Sequence, residues 1–446
     1  MFFTRLMTII IILIPLHVLG VREITINEGH IEPMPIAINR FDSTDGQLAE
    51  YSDQLVSVIS KDLESSSFFK ILPKGAFIET VKGVNHRPLF ASWRQIKAQF
   101  LVNGKIRRKG NIIEVSYILW DTALERDIHK EILDIPAKIW RRGAHKIADT
   151  IYERITGDKG YFNTRVAYIA ESYYGKAKTK RLAIMDFDGE NHKFLTDGKN
   201  IALTPRFSPD SHKLMYISYK NRIPKAYIYD LRTGKESLLV EFPGISFAPK
   251  FSPDGTKALF CMSQRGATNI YEINLRSKRI TALTRNNSIN TSPSYSPDGK
   301  RIVFNSDRSG SRQLYVMNSD GSDVRRISYG FGIYATPIWS PKGDFIAFTK
   351  IQAGFAIGVM RPDGSSERTI ATGYLVEGPT WSPSGRLVMF TKEEKRIGQR
   401  NRSSVYYVDI TGNNEQKLFT HSMGASDPEW SSLLDQNRSH SFYTVR

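Results

Sequence analysis

The residues able to carry chemistry in this 446-residue chain are scattered, not grouped. Its nine histidines fall at no metal-ligand spacing. The sequence contains no His-Glu-x-x-His pair, EF-hand loop or Gly-x-x-x-x-Gly-Lys-Ser/Thr phosphate loop. The Gly-x-Ser-x-Gly elbow that an α/β-hydrolase would need is also missing. Gly330-Phe-Gly-Ile-Tyr-Ala335 fits a loose dinucleotide fingerprint, but it stands between two strand patterns and no helix follows to receive a pyrophosphate. Asp188, Asp320 and Asp363 each precede a glycine, with one or two carboxylates per turn, which is turn chemistry and not a calcium cage. Cys261, the one cysteine, alternates with apolar neighbours and can form no internal disulfide, so it reads as a small core residue. These patterns predict a protein that is not an enzyme and uses no cofactor or metal.

The dominant pattern is structural. Pro-x-aromatic-Ser-Pro-Asp-Gly begins in full at Pro249 and Pro293, appears with one changed turn residue at Pro205, Pro337 and Pro379, and ends as Pro428-Glu-Trp-Ser431. The leading prolines are 44, 44, 44, 42 and 49 residues apart. In Ser-Pro-Asp-Gly the second proline presets φ for the first corner and glycine accepts a positive φ, which reverses the chain. An alternating strand follows, as in Arg301–Ser306, and two more come after it, the first seen at Ala226–Asp230 and Gln313–Asn318. Four strands in about 44 residues make one propeller blade.

The ends of the array are out of phase. Thr164–Ala170 matches the second strand of a blade with no motif before it, and the missing strand stands at the far end, around Asp427–Ser431. A C-terminal strand therefore completes the first blade and closes the ring, removing two open sheet edges. Upstream, strand patterns at Glu23–Asn27, Pro35–Asn39, Phe68–Leu72, Gln99–Arg107, Ile112–Trp120 and Asp127–Leu133 alternate with two helices. The first, Gln47–Glu64, shows an apolar face of Leu48, Tyr51, Leu55, Ile59 and Leu63; the second, Ile139–Thr156, stops at Gly157. The expected fold is a multi-domain chain: a small N-terminal α/β domain (21–160), a short junction at Gly157–Asn163, then a six-bladed β-propeller (161–434). The tail 435–446 has no assigned role.

Arg5, the apolar run Met7–Leu16 and the small residues before Val21 have the layout of a cleaved signal peptide (1–20). A membrane span needs about 20 apolar residues, roughly twice this run. The mature protein is thus expected to be exported and not inserted in the membrane. The net charge of +17 is uneven: 21 Lys and Arg oppose 19 Asp and Glu over 21–160, against 40 and 26 over 161–446. The basic residues of the second region are spread singly through loops, which argues against nucleic acid as a partner.

Signal peptide, α/β domain and six motif copies closing on Asp427-Pro-Glu-Trp-Ser431 together resemble the TolB family of the Tol–Pal system. Glu23–Ile26, Pro35–Ile38, Ile155–Gly157 and Arg165–Ile169 add to the likeness. The resemblance implies a monomeric periplasmic protein that binds two others: a Pal-like outer-membrane lipoprotein at the mouth of the propeller channel, and a TolA-like inner-membrane protein through the mature N-terminus, Arg22, Glu23, Ile24, Thr25 and Ile26. It implies a part in drawing the outer membrane inward at division and in envelope integrity.

Residues just before each motif proline stand at the channel mouth: Ile245, Ala248, Thr291, Ser292, Ala335, Thr336, Glu377 and Asp427. By resemblance, Ala248 and Thr291 fall where the family contacts Pal. Three positions depart from the family pattern: Ile245 where a histidine is expected, Ser211 in place of the turn glycine, and Ser432 in place of proline. A rival reading is an exported propeller that binds a small ligand or glycan, with the α/β domain as sensor. A lyase or hydrolase would require acids or histidines clustered at the mouth, where only Glu377 and Asp427 stand.

Overall fold

The computed structural model describes residues 32–434, apart from 44–45, 175–176, 241–245, 397, 399 and 422–423, and the backbone of Thr444–Val445. The expected signal peptide and the strand expected at Glu23–Asn27 lie outside these residues.

The N-terminal domain is a seven-stranded sheet with helices on both faces. Its order is Phe69–Ile71, Met34–Ile38, Phe100–Lys109, Ile112–Asp121, Arg126–Pro136 and Thr444–Val445, with Asp42–Ser43 beside Phe100–Lys109. Helix α1 (Gly46–Ser65) buries Leu48, Leu55, Ile59 and Leu63, the face that its periodicity marks. Sequence periodicity did not reveal α2 (Phe90–Gln95), because six residues are too few to show a period. It seats Phe90 and Trp93 against Leu101, Ile118 and Trp120 on the other face of the sheet. Helix α3 (Trp140–Thr156) ends where Gly157 turns left-handed at φ 77° and donates its N–H to Glu153 O at 2.9 Å. The tail is not idle: Thr444–Val445 pairs antiparallel with Asp134 and Leu133 at the sheet edge.

Six four-stranded blades follow. Blades I to V have inner strands Ala202–Phe207, Ser246–Phe251, Asn290–Tyr295, Ile333–Trp339 and Leu375–Trp381. The closing blade takes its inner strand, Gly424–Trp430, from the C-terminal end and pairs it with Arg165–Tyr174, setting Trp430 opposite Val166. Each inner strand runs from one face of the ring, the mouth, toward the Ser-Pro turns on the other. At the turn face Gly255, Gly299, Gly343 and Gly385 all have φ near +70 to +79°. Ser252 Oγ accepts the N–H of Lys257 at 2.9 Å and donates to Asp254, so the turn satisfies itself. Two departures from the motif explain each other. Ser211 holds φ 55°, and its hydroxyl lies 2.7 Å from that of Ser432, whose N–H, which a proline would lack, also reaches Ser211 Oγ at 3.2 Å. They tie the closing strand to blade I.

The segment expected as a junction is a packed element. Tyr161 and Phe162 are buried, and Asp149 on α3 accepts the N–H of Phe162 at 2.7 Å and of Asn163 at 3.0 Å. Tyr161 meets Trp430 edge-on at 5.9 Å, and Phe187 stacks on Trp430 at 4.9 Å, so one apolar core runs through both domains. Around it, Asp158 pairs with Lys342 (3.3 Å) and Arg386 (3.2 Å), both in blade turns. Buried His145 of α3 sits 2.7 Å from Asp62 of α1 and 3.6 Å from Asp188 of the closing blade. Burial opposes its charge, but Asp62, then Asp188 and Asp186, outweigh that and lift the imidazole to about 9. All these propeller contacts belong to the turn face. The α/β domain therefore covers that face and leaves the mouth on the opposite side.

Candidate docking face at the channel mouth

The motif proline has a second consequence at the mouth end of each inner strand. Proline has no N–H to give to a ladder, so a strand tolerates it at an edge or a bulge. All six inner strands slip register there: between Leu203 and Arg206, Phe247 and Lys250, Thr291 and Ser294, Ala335 and Ile338, Glu377 and Thr380, and Ser426 and Glu429. The residue before the proline takes a left-handed conformation in Thr204 (φ 48°), Ser292 (54°), Thr336 (47°), Gly378 (65°) and Asp427 (51°). For a β-branched threonine this is a costly conformation, on the order of 1–3 kcal/mol.

Second-strand side chains of the neighbouring blade and of the same blade hold these bulges. Asp427 N–H donates to Thr391 Oγ1 at 3.0 Å, and Gly378 N–H to Thr349 Oγ1 at 3.3 Å. Within single blades, the Thr336 hydroxyl lies 2.7 Å from that of Thr349, and Thr291 Oγ1 accepts from Asn305 at 2.9 Å. Cys261 occupies the matching place in blade II, where the Ser292 backbone donates to its sulfur and burial pushes the thiol up to about 12. It is a buried, unreactive acceptor in this interblade series.

The expected site residues Thr291, Ser292, Ala335, Thr336, Glu377 and Asp427 thus all line one rim, and three of them are bulge residues. Ala248 belongs to the inner strand of blade II, while Ile245 and Arg22–Ile26 lie outside the described residues. Burial, then the charge of Asp427, raises the Glu377 carboxyl, with Lys180 acting against both. Nearby Glu171 accepts from Ser426 at 3.0 Å and pairs with Lys178 (2.8 Å) and Lys180 (3.1 Å). Among the described residues, no group of three or more His, Cys, Asp or Glu is placed to hold a metal ion.

An apolar sector of this rim escaped the sequence reading. Phe331 is 86% exposed, Tyr329 74% and Tyr374 55%, with Ile333 beside them. They stand in the links that lead into the inner strands of blades IV and V. The Arg326 guanidinium lies 4.9 Å from the Tyr329 ring and the Lys395 ammonium 4.1 Å from the Tyr374 ring. The signal was present in Gly330-Phe-Gly332: two glycines around a phenylalanine leave the ring no strand to pack in. Large apolar side chains rimmed by cations are the composition of a protein-binding surface.

Comparison with known proteins agrees with both domains. The TolB amino-terminal domain family matches residues 22–128 and the TolB beta propeller domain family residues 152–434. The chain is 51% identical over 438 residues to the Tol-Pal system protein TolB of Rickettsia bellii, covering 96% of this chain and 98% of that one. It is 50% identical over 429 residues to the protein of the same name from Rickettsia massiliae, covering 93% and 96%. The crystal structure of TolB from Acinetobacter baumannii superposes with a TM-score of 0.81 at 27% identity, over 90% of this chain and 97% of that one.

Proposed function

Because the chain belongs to the TolB family, we propose that it is a non-catalytic, periplasmic protein-binding component of a Tol–Pal system. It docks a Pal-like lipoprotein on the channel mouth and a TolA-like inner-membrane protein through the mature N-terminus, Arg22–Ile26. In that role it helps draw the outer membrane inward at division and keeps the envelope intact. The observation that supports this best is the uncovered rim. Strained residues held rigidly by second-strand side chains stand beside exposed Tyr329, Phe331 and Tyr374, on the face that the α/β domain leaves free. A surface fixed before the partner arrives spends little free energy on ordering when it docks. Tyrosine and arginine are the residues that most often dominate binding at such centres.

The test is binding of the two purified partners to two variants. Thr291→Arg places a long cation on the rim; affinity for the Pal-like lipoprotein falls at least tenfold, about 1.4 kcal/mol, with an unchanged circular-dichroism spectrum. Removing Val21–Asn27 abolishes binding of the TolA-like protein and leaves the lipoprotein's affinity and the melting transition intact. Unaltered lipoprotein affinity in Thr291→Arg moves the site off this rim. Unfolding of the α/β domain on deletion makes the N-terminal segment structural.

A further inference from the structure

One level below the rim, the second residue of each motif copy comes from the innermost strand of its blade: Arg206, Lys250, Ser294, Ile338, Thr380 and Glu429. Side chains from three blades meet there. Arg206 Nη1 lies 3.5 Å from Glu429 Oε2, and Thr380 Oγ1 donates to the same oxygen at 3.2 Å. One carboxylate therefore serves a guanidinium and a hydroxyl, and it faces two cations.

Lys250 is the unmatched member. Its side chain is partly exposed, and no ion pair or hydrogen bond reaches its ammonium from the described residues. Burial first, then repulsion from Arg206, pushes its pKa down to about 7, while Glu429 pulls the other way. Arg206 Nε, on the neighbouring inner strand, is buried without an acceptor, and so is the hydroxyl of Thr204 two residues before it. Two cations on neighbouring inner strands thus face a single carboxylate, and the excess positive charge at this level of the channel forms a site for negative charge.

The geometry points to an anion site in the propeller channel, in which Lys250 and Arg206 together hold a small oxyanion of the phosphate class. A guanidinium offers two parallel N–H groups that match oxyanion geometry, and an ammonium supplies the point charge. The site stands on the channel residues alone and does not depend on which protein docks at the mouth.

The experiment titrates inorganic phosphate into the mature protein at constant ionic strength and follows both calorimetric binding and Tm. The parent binds phosphate at one site, and its Tm climbs with concentration as expected for a ligand of the folded state. Lys250→Met, close in length and volume, weakens binding at least tenfold and keeps a sharp melting transition without phosphate. Lys250→Gln, which keeps a polar end, loses the phosphate response in the same way and covers the case in which the methionine variant fails to fold. Equal phosphate responses in parent and lysine variants, or no response in the parent at millimolar phosphate, overturn the site.

Discussion

The two ends of an inner strand lie only a few residues apart and are built on opposite terms. At the turn end, Ser252, Ser296 and their equivalents satisfy their own loops, glycine takes the left-handed position, and the α/β domain packs over several turns. At the mouth end, serine, threonine and aspartate take that conformation in every blade where it occurs but one, which has Gly378; donors are answered by a neighbouring blade, and aromatic rings stand in solvent. One proline-led motif makes both, because proline shapes a turn at one place and forces a bulge at the other. The difference teaches that the turn face holds the ring together and the mouth face is kept ready for a partner.

The sharpest way to break this comparison is to cut the ring. Deleting the chain from Ala425 removes the inner strand of the closing blade, the Trp430 stack and the Ser211–Ser432 tie. Two sheet edges are then exposed, and cooperative unfolding gives way to aggregation. A truncated protein that melts as sharply as the parent contradicts closure. A point change at the same place, Trp430→Ala, costs about 3–5 kcal/mol in chemical denaturation, the usual range for a fully packed aromatic.

A smaller effect separates the two ends directly. Gly299 sits in a turn at φ 71° with room for a methyl group, its nearest neighbour being Pro253 Cδ at 3.9 Å. Gly299→Ala should lower stability by about 1 kcal/mol through backbone strain alone and leave partner affinity unchanged. Ser292→Gly, at the mouth, should hardly move the denaturation midpoint, since relief of strain is offset by a freer unfolded chain. Equal losses at both positions would erase the distinction between the ends.

A further expected effect is on pH. The folded-state pKa of His145 lies above its ordinary 6.5, at about 9. The stability that this pairing contributes is therefore complete below pH 6.5 and is lost as pH rises through 9. Tm of the parent should fall between pH 7 and 9.5, and His145→Gln should flatten that slope. The same slope in both proteins would assign it to another group.

Much of this architecture was legible because a repeat states one blade six times, and the offset ends state its closure. The apolar face of α1 and the glycine stop of α3 were equally plain. What escaped was information held between segments. The second role of the motif proline appears only when the strand beside it is placed, and Asp149 turns the Gly157–Asn163 joint into a packed wedge from 13 and 14 residues away. The exposed rings at Tyr329 and Phe331 were hidden in a loose dinucleotide fingerprint because closely spaced glycines occur both in a cofactor loop and in a link that turns sharply between blades. The interblade place of Cys261 is a matter of which neighbour it meets, and its own strand does not say.

The most direct measurement of the central claim is amide hydrogen exchange of the mature protein with and without its lipoprotein partner. The account predicts new protection at the mouth, over residues 329–336 and 374–378, with no change at the turns 252–257 and 296–301. Protection confined to those turns, with the mouth segments exchanging as before, would contradict it.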